Sequence, residues 1–162
     1  MLIFVTVGTH EQQFDRLVRT MDELVGNGCI TDPVFIQTGY SDYIPSYCEF
    51  SKFLSFEEMT NKMQSAEVVI THGGPSSFIE AMASGKIPVV VPRRSIYGEH
   101  VNDHQVEFVL QVERRMGGII PCLDTDRLLD CIANCRSLEA NLTFHSHNKE
   151  FCEGLKEIIE RI

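Results

Sequence analysis

His72-Gly73-Gly74-Pro75-Ser76-Ser77 is the stretch of this 162-residue chain best suited to hold an anion. Glycine lets a backbone approach an oxyanion, proline is at ease in the first turn of a helix, and serine hydroxyls donate to phosphate oxygens. The same residues could form no more than a tight turn between strand and helix, with a serine as N-cap. Glu80 falls about one turn into the helix that this loop opens. A carboxylate there can accept from both hydroxyls of a ribose, as acidic groups do in other nucleotide folds, or simply face water. Gly8-Thr9-His10-Glu11 offers a second loop. The backbone of Gly8 and Thr9 could touch a phosphate, and His10 would then face the cleft. A histidine so placed could act as a general base, or cap or line the loop.

A third polar group runs from Tyr97 to Gln105 and includes Glu99, His100, Asn102, Asp103 and His104. At a helix start these side chains suit sugar hydroxyls and phosphate, or form a solvated turn. The i, i+4 spacing of His100 and His104 also fits a metal, but no third ligand stands at a recognisable spacing, so no metal site is expected. Arg93-Arg94 follows an apolar run; one of the two could reach an anion, or both could sit solvated in a loop. Arg114-Arg115 lies where cations complement a helix C-terminus. The six cysteines show no CxxC pair and read as reduced thiols.

These residues need a scaffold. Ile3–Val7, Val34–Gln37, Val68–Ile70, Val89–Val91 and Gly118–Ile120 read as short strands, with a weaker one near Cys48–Leu54. Between them, Phe14, Leu17, Val18, Met21, Leu24 and Val25 trace one helix face closed by Gly26-Asn27-Gly28. Ser55 and Glu58 have capping-box spacing and open a helix to about Gln64. Further helices are expected over Val101–Val112 and from a cap at Asp124 to about Asn134. Near the end, Phe151, Leu155, Ile158, Ile159 and Ile162 form an apolar stripe. The alternation predicts an α/β fold, a doubly wound and mainly parallel sheet with helices on both faces. Ligands of such sheets bind beyond the carboxyl ends of the strands. Gly8-Thr9-His10, Thr38-Gly39-Tyr40 and the His72–Ser76 loop should therefore converge there.

The net charge of −9, from 14 basic and 23 acidic residues, argues against nucleic acid as a partner. No run approaches the roughly 18–20 apolar residues of a membrane span, and the first residues lack a cationic leader, so a cytoplasmic chain is expected.

The pattern Thr71-His72-Gly73-Gly74, Ser76-Ser77, Glu80-Ala81, Gly85, Pro88, Val89–Pro92 and His104-Gln105 resembles the C-terminal, donor-binding half of GT-B glycosyltransferases, specifically the MurG-related group. Phe4-Val5-Thr6-Val7-Gly8-Thr9, with Phe14-Asp15 and Leu17, is similar to its split members. Those are bacterial polysaccharide-synthesis proteins of the PssE/EpsF kind and the soluble catalytic subunit of the eukaryotic lipid-linked N-acetylglucosaminyltransferase. The resemblance implies a Rossmann-like, UDP-sugar-binding domain over residues 1–135 and a helical, amphipathic extension over 136–162. Gly8, Thr9, His72, Gly73, Gly74, Ser76 and Ser77 would then surround a diphosphate, and Glu80 the ribose. His100, Asn102, Asp103, His104 and Gln105 would lie near the sugar or diphosphate. His10 is the candidate base on this chain, unless the base lies on a partner. The implied reaction is inverting transfer from a UDP-sugar to a lipid-diphosphate-linked saccharide in capsular or exopolysaccharide synthesis, with no cofactor and no metal. The implied partner is a membrane-anchored, acceptor-binding subunit that recruits this chain to the membrane, with the C-terminal helix as docking element. An accessory subunit that boosts such a partner, and a nucleotide-sugar epimerase on the same fold, are the alternatives.

Overall fold

β1 (Ile3–Thr6) sits at the centre of the architecture and is buried on both faces, as its unbroken apolar run requires. The computed structural model describes residues 1–139 and 148–161. After β1 come α1 (Asp15–Gly26), β2 (Val34–Gln37), the edge strand β3 (Glu49–Ser51) and α2 (Phe56–Ser65). Then follow β4 (Val68–His72), α3 (Pro75–Ala83), β5 (Val89–Val91) and α4 (His104–Met116). β6 (Ile120–Pro121), α5 (Leu128–Glu139) and α6 (Asn148–Ile159) close the order. All six strands are parallel, in the order β3-β2-β1-β4-β5-β6. Ile3 is in register with Val34 on one side and Val68 on the other.

The period-2 alternation of β1 divides the core. Ile3 and Val5 meet α1 through Leu17, Val18 and Met21, and α5 through Leu128 and Ile132. Phe4 turns the other way, toward Met63 of α2 and Ala81 of α3. On that second face α4 covers Val90 with Phe108, Val109 and Val112. The expected doubly wound sheet is thus present, in the strand order of dinucleotide-binding folds.

Local chemistry accounts for most boundaries. The Ser55–Glu58 capping box forms in both directions. Asp124 accepts from the Asp126 N–H and opens a short 3₁₀ turn, Thr125–Arg127, that leads into α5. α4 differs from expectation at both ends. It starts at His104 rather than Val101, because the Asp103 carboxylate is drawn back to Ser95 and Glu99 is pulled into the interior. It runs on to Met116, where Gly117 and Gly118, both at positive φ, stop it.

α6 lies over α4. Ile158 is fully buried with Phe108, Val109 and Val112, while Ile159 is exposed. The side chains of Phe151, Leu155 and Ile162, the rest of the expected stripe, lie outside the described residues. Among the described residues no helix is long and apolar enough to cross a membrane.

Candidate functional site

The strand order reverses between β1 and β4, so the loops that leave their carboxyl ends diverge and open a crevice. His72 closes β4 on the rim of that crevice. It is buried, its Nδ1 accepts from the Gly74 N–H at 2.9 Å, and its Nε2 lies 3.1 Å from the Ser77 hydroxyl. Burial, helped by Arg93 and His10, pushes its pKa down to about 3. The ring is therefore neutral, and an Nδ1 that accepts leaves the proton on Nε2, which donates to Ser77. Gly8 and Gly74 flank this ring so closely that a Cβ on either would collide with it. Gly73 is confined in turn by Gln105 and Pro92, each 3.0 Å from where its Cβ would be. Close packing around a histidine explains these glycines without any ligand.

The β1 loop is held by a residue that sequence reasoning passed over. Gln37, buried at the end of β2, accepts from the Gly8 N–H (3.1 Å) and donates to the Gly8 carbonyl (3.1 Å) and the Lys52 carbonyl (2.8 Å). Thr6 donates to the same Gln37 oxygen at 2.7 Å. One amide thereby joins the carboxyl ends of β1 and β2 to the segment after β3. Its only sequence signal was a polar residue ending an apolar run. Gly39, at φ 55°, tucks beneath Gly8, so the three expected loops do meet. The Gly8 N–H is engaged inside the loop. Thr9, exposed, and Gly73 keep backbone N–H groups without a partner among the described residues, beside the exposed Ser76 at the first turn of α3.

Arg93 is where the sequence expectation fails. It is neither solvated nor aimed at the cleft but fully buried. Its Nη1 donates to the carbonyls of Gln12 (2.8 Å), Gln13 (3.1 Å) and Glu99 (3.1 Å), and its Nη2 to that of Val7 (2.9 Å). The Phe14 ring lies 4.9 Å from the guanidinium. Burial lowers its pKa to about 10, with Glu99 opposing, so it stays charged at neutral pH. The β5 loop is thereby tied to the β1 loop. Arg16 completes the tie through a two-pronged pair with buried Glu99, at 2.8 and 3.0 Å. Arg94, half-buried, lies 5.7 Å from the Tyr97 ring.

The remaining candidates sort by what they already touch. Gln105 accepts from the Arg93 N–H at 3.0 Å. Asp103 accepts from the N–H and hydroxyl of Ser95, which hold its carboxyl below the usual carboxylate range. Asn102 accepts from the His104 N–H, and His104 is exposed. His10 and His100 meet edge to face, with ring centroids 4.8 Å apart. Glu80 is half-buried on the α2 side of α3 and accepts from the Thr60 hydroxyl at 3.1 Å. Among the described residues no three His, Cys, Asp or Glu side chains are grouped to hold a metal.

The edge is thus a frame held mainly by its own hydrogen bonds, although the Arg93 Nε, Gln12 Oε1 and Thr71 Oγ1 are buried without a hydrogen-bond partner among the described residues. At that edge lie a helix N-terminus, the unpaired N–H groups of exposed Thr9 and buried Gly73, and a histidine pair, an arrangement suited to a phosphorylated ligand.

Comparison with known proteins agrees with that geometry. The family model described as "Glycosyltransferase family 28 C-terminal domain" matches residues 2–162. The UDP-N-acetylglucosamine transferase subunit ALG13 of Mus musculus is 30% identical over 142 residues, covering 80% of this chain and 11% of that protein. The Homo sapiens protein of the same name is 26% identical over 154 residues, covering 84% of this chain and 12% of its own length. The chain therefore spans about a ninth of these curated relatives. Among solved structures, the glycotransferase of kitacinnamycin superposes with a TM-score of 0.60 at 18% identity, over 99% of this chain and 39% of that one. That likeness shows the fold.

Proposed function

From its membership of the glycosyltransferase family 28 C-terminal domain family, we propose that this chain is the donor-binding, catalytic subunit of a two-component inverting glycosyltransferase. Its donor is a UDP-sugar and its acceptor a lipid-diphosphate-linked saccharide, in capsular or exopolysaccharide synthesis. The observation that carries this reading is the N-terminus of α3 facing the Gly8–His10 loop at the switch point between β1 and β4. The naming of the curated relatives as transferase subunits supports the need for a partner. That partner is a membrane-anchored subunit that supplies the acceptor site and brings this chain to the membrane.

In this reading the diphosphate sits against α3, taking hydrogen bonds from Thr9, Gly73 and Ser76. His72, Gly8, Gly74 and Ser77 shape that seat rather than touch the ligand, and Glu80 turns from Thr60 to the ribose hydroxyls. His100, Asp103, His104 and Gln105 line the side toward the sugar. As the sugar leaves, charge grows on the departing UDP. The preorganised helix dipole and backbone donors stabilise that charge without a metal ion. His10, at the mouth of the crevice, is the base on this chain if the partner does not supply one.

Titration calorimetry with UDP is the first test. Glu80→Ala is expected to weaken binding by roughly tenfold, or about 1.4 kcal/mol. Transfer of labelled sugar to a lipid-linked acceptor is expected with the partner present, and unchanged by a chelator. Affinity weaker than about millimolar (~4 kcal/mol) that Glu80→Ala leaves alone would favour an accessory subunit instead. For the interface, Ile159→Glu is a cleaner probe than removal of α6. Ile159 is exposed, whereas truncation also takes Ile158 out of the core.

A further inference from the structure

His10 and His100 come from different loops, one after β1 and one after β5, and their rings meet at 4.8 Å between centroids. Both loops are fixed: Arg93 bonds the carbonyls of Gln12, Gln13 and Glu99, and the Gln13 side chain donates to the Tyr97 carbonyl at 3.0 Å. Yet the two rings keep most of their hydrogen-bonding capacity. His100 Nδ1 accepts from the Asn102 N–H at 3.4 Å, and its Nε2 has no partner among the described residues. Neither nitrogen of His10 has one. The contrast with His72 is plain, since both nitrogens of that ring are engaged.

The charges around the pair are lopsided. His10 faces the buried Arg93 guanidinium, His100, the neutral His72 and, on its own loop, the exposed Glu11. His100 also faces Asp103, whose carboxylate is bonded to Ser95. No carboxylate hydrogen-bonds either ring among the described residues. The N-terminus of α3 adds partial positive charge from the His72 side. Protonating His10 places a cation near the buried Arg93 guanidinium. Burial, then Arg93 and His100, hold His10 below the ordinary imidazole range, with Glu11 pulling the other way. A doubly negative diphosphate reverses the balance, because an opposite charge within a few ångströms favours the protonated ring.

We propose, resting on the donor reading above, that His10 and His100 form a proton-linked clamp on the donor's diphosphate. Binding of the nucleotide sugar draws one proton from solvent onto the pair, the protonated pair donates N–H hydrogen bonds to phosphate oxygens, and the general base then comes from the partner subunit. The proton stays on an imidazole nitrogen and no covalent bond changes. The clamp tightens as negative charge accumulates on the departing phosphate. The sign follows directly: with the bound-state pKa above the free-state value, the gain in affinity is full below the free-state pKa and is lost as pH rises through the bound-state pKa.

The test is calorimetry of the full chain with UDP-N-acetylglucosamine and UDP-glucose, in buffers of equal pH and different ionisation enthalpy. These diesters carry no group of their own that titrates near neutrality, so a buffer-dependent heat reports protons taken up by the protein. Uptake approaching one proton, with affinity rising up to about tenfold per unit of falling pH, is the expected result. His10→Gln and His100→Gln should each remove most of the uptake while thermal unfolding shows both variants folded. Heat that does not depend on the buffer overturns the clamp from the unsubstituted protein alone. Uptake that survives in both variants overturns it as well. Absence of any nucleotide-sugar binding would remove the donor reading, and the clamp with it.

Discussion

Replacing Arg93 by methionine tests the frame on which the whole crevice depends. Methionine fills much of the aliphatic volume and can lie against Phe14, but it leaves the carbonyls of Val7, Gln12, Gln13 and Glu99 without their donor. An unsatisfied buried carbonyl costs about 1–3 kcal/mol. The four losses will not add in full, because Gln12 and Gln13 are half-buried and water can reach part of their loop. Against this, the guanidinium no longer has to be desolvated, which recovers part of the loss. The net expectation is about 3–5 kcal/mol, a large share of the roughly 5–15 kcal/mol that holds a typical domain together. Arg93→Lys keeps the charge but reaches fewer carbonyls, so it should fall between methionine and the unsubstituted chain. Urea unfolding of the three proteins, compared at constant slope, measures the difference. Loop alignment should suffer first, so UDP affinity is expected to drop in Arg93→Lys even where that variant remains folded. A loss below about 1 kcal/mol for Arg93→Met, within the range of an ordinary surface change, would falsify the claim that this residue ties the β1 and β5 loops together.

Gly74 has an ordinary φ of −72°, so Gly74→Ala should destabilise only through collision with the His72 ring, and most of the penalty should vanish in a His72→Ala background. Gly8→Ala suffers the same collision and in addition a φ of 78°, so some of its penalty, about 1–2 kcal/mol, should persist in that background. Because His72 titrates near 3 when folded and near 6.5 when unfolded, its contribution is intact above about pH 6.5 and declines as pH falls. Thermal or urea unfolding should lose about 2 kcal/mol to this residue between pH 7 and pH 5, and His72→Gln should flatten that dependence. Gln37→Leu removes the amide that joins three strand ends and should cost about 2–3 kcal/mol. Faster hydrogen exchange at the Gly8 N–H would show that the loop has loosened.

The chain's own pattern decided the layers. Short apolar runs, alternating with helical stripes, can bury both faces only as a parallel sheet between helices, and that sheet is present. The Ser55–Glu58 box and the turn that opens α3 were likewise decided locally, because a cap needs only its own next few residues. The crevice at the carboxyl edge followed from these, since strand ends and glycine turns are local features. Which polar groups would face that crevice was not decided locally. Arg93 stands next to Arg94 in the chain, yet one is buried and the other half-exposed. A buried guanidinium is tolerable only where acceptors converge, and those acceptors lie 80 or more residues away in Val7, Gln12 and Gln13. Gln37 follows the same rule, engaged by the distant backbone of Gly8 and Lys52, and Glu99 is engaged by the distant side chain of Arg16, whereas His72 is satisfied within its own loop by Gly74 and Ser77. Periodicity reports which side of an element is apolar. Only the assembled sheet determines which hydrogen bonds are already made, and so which groups remain for a ligand.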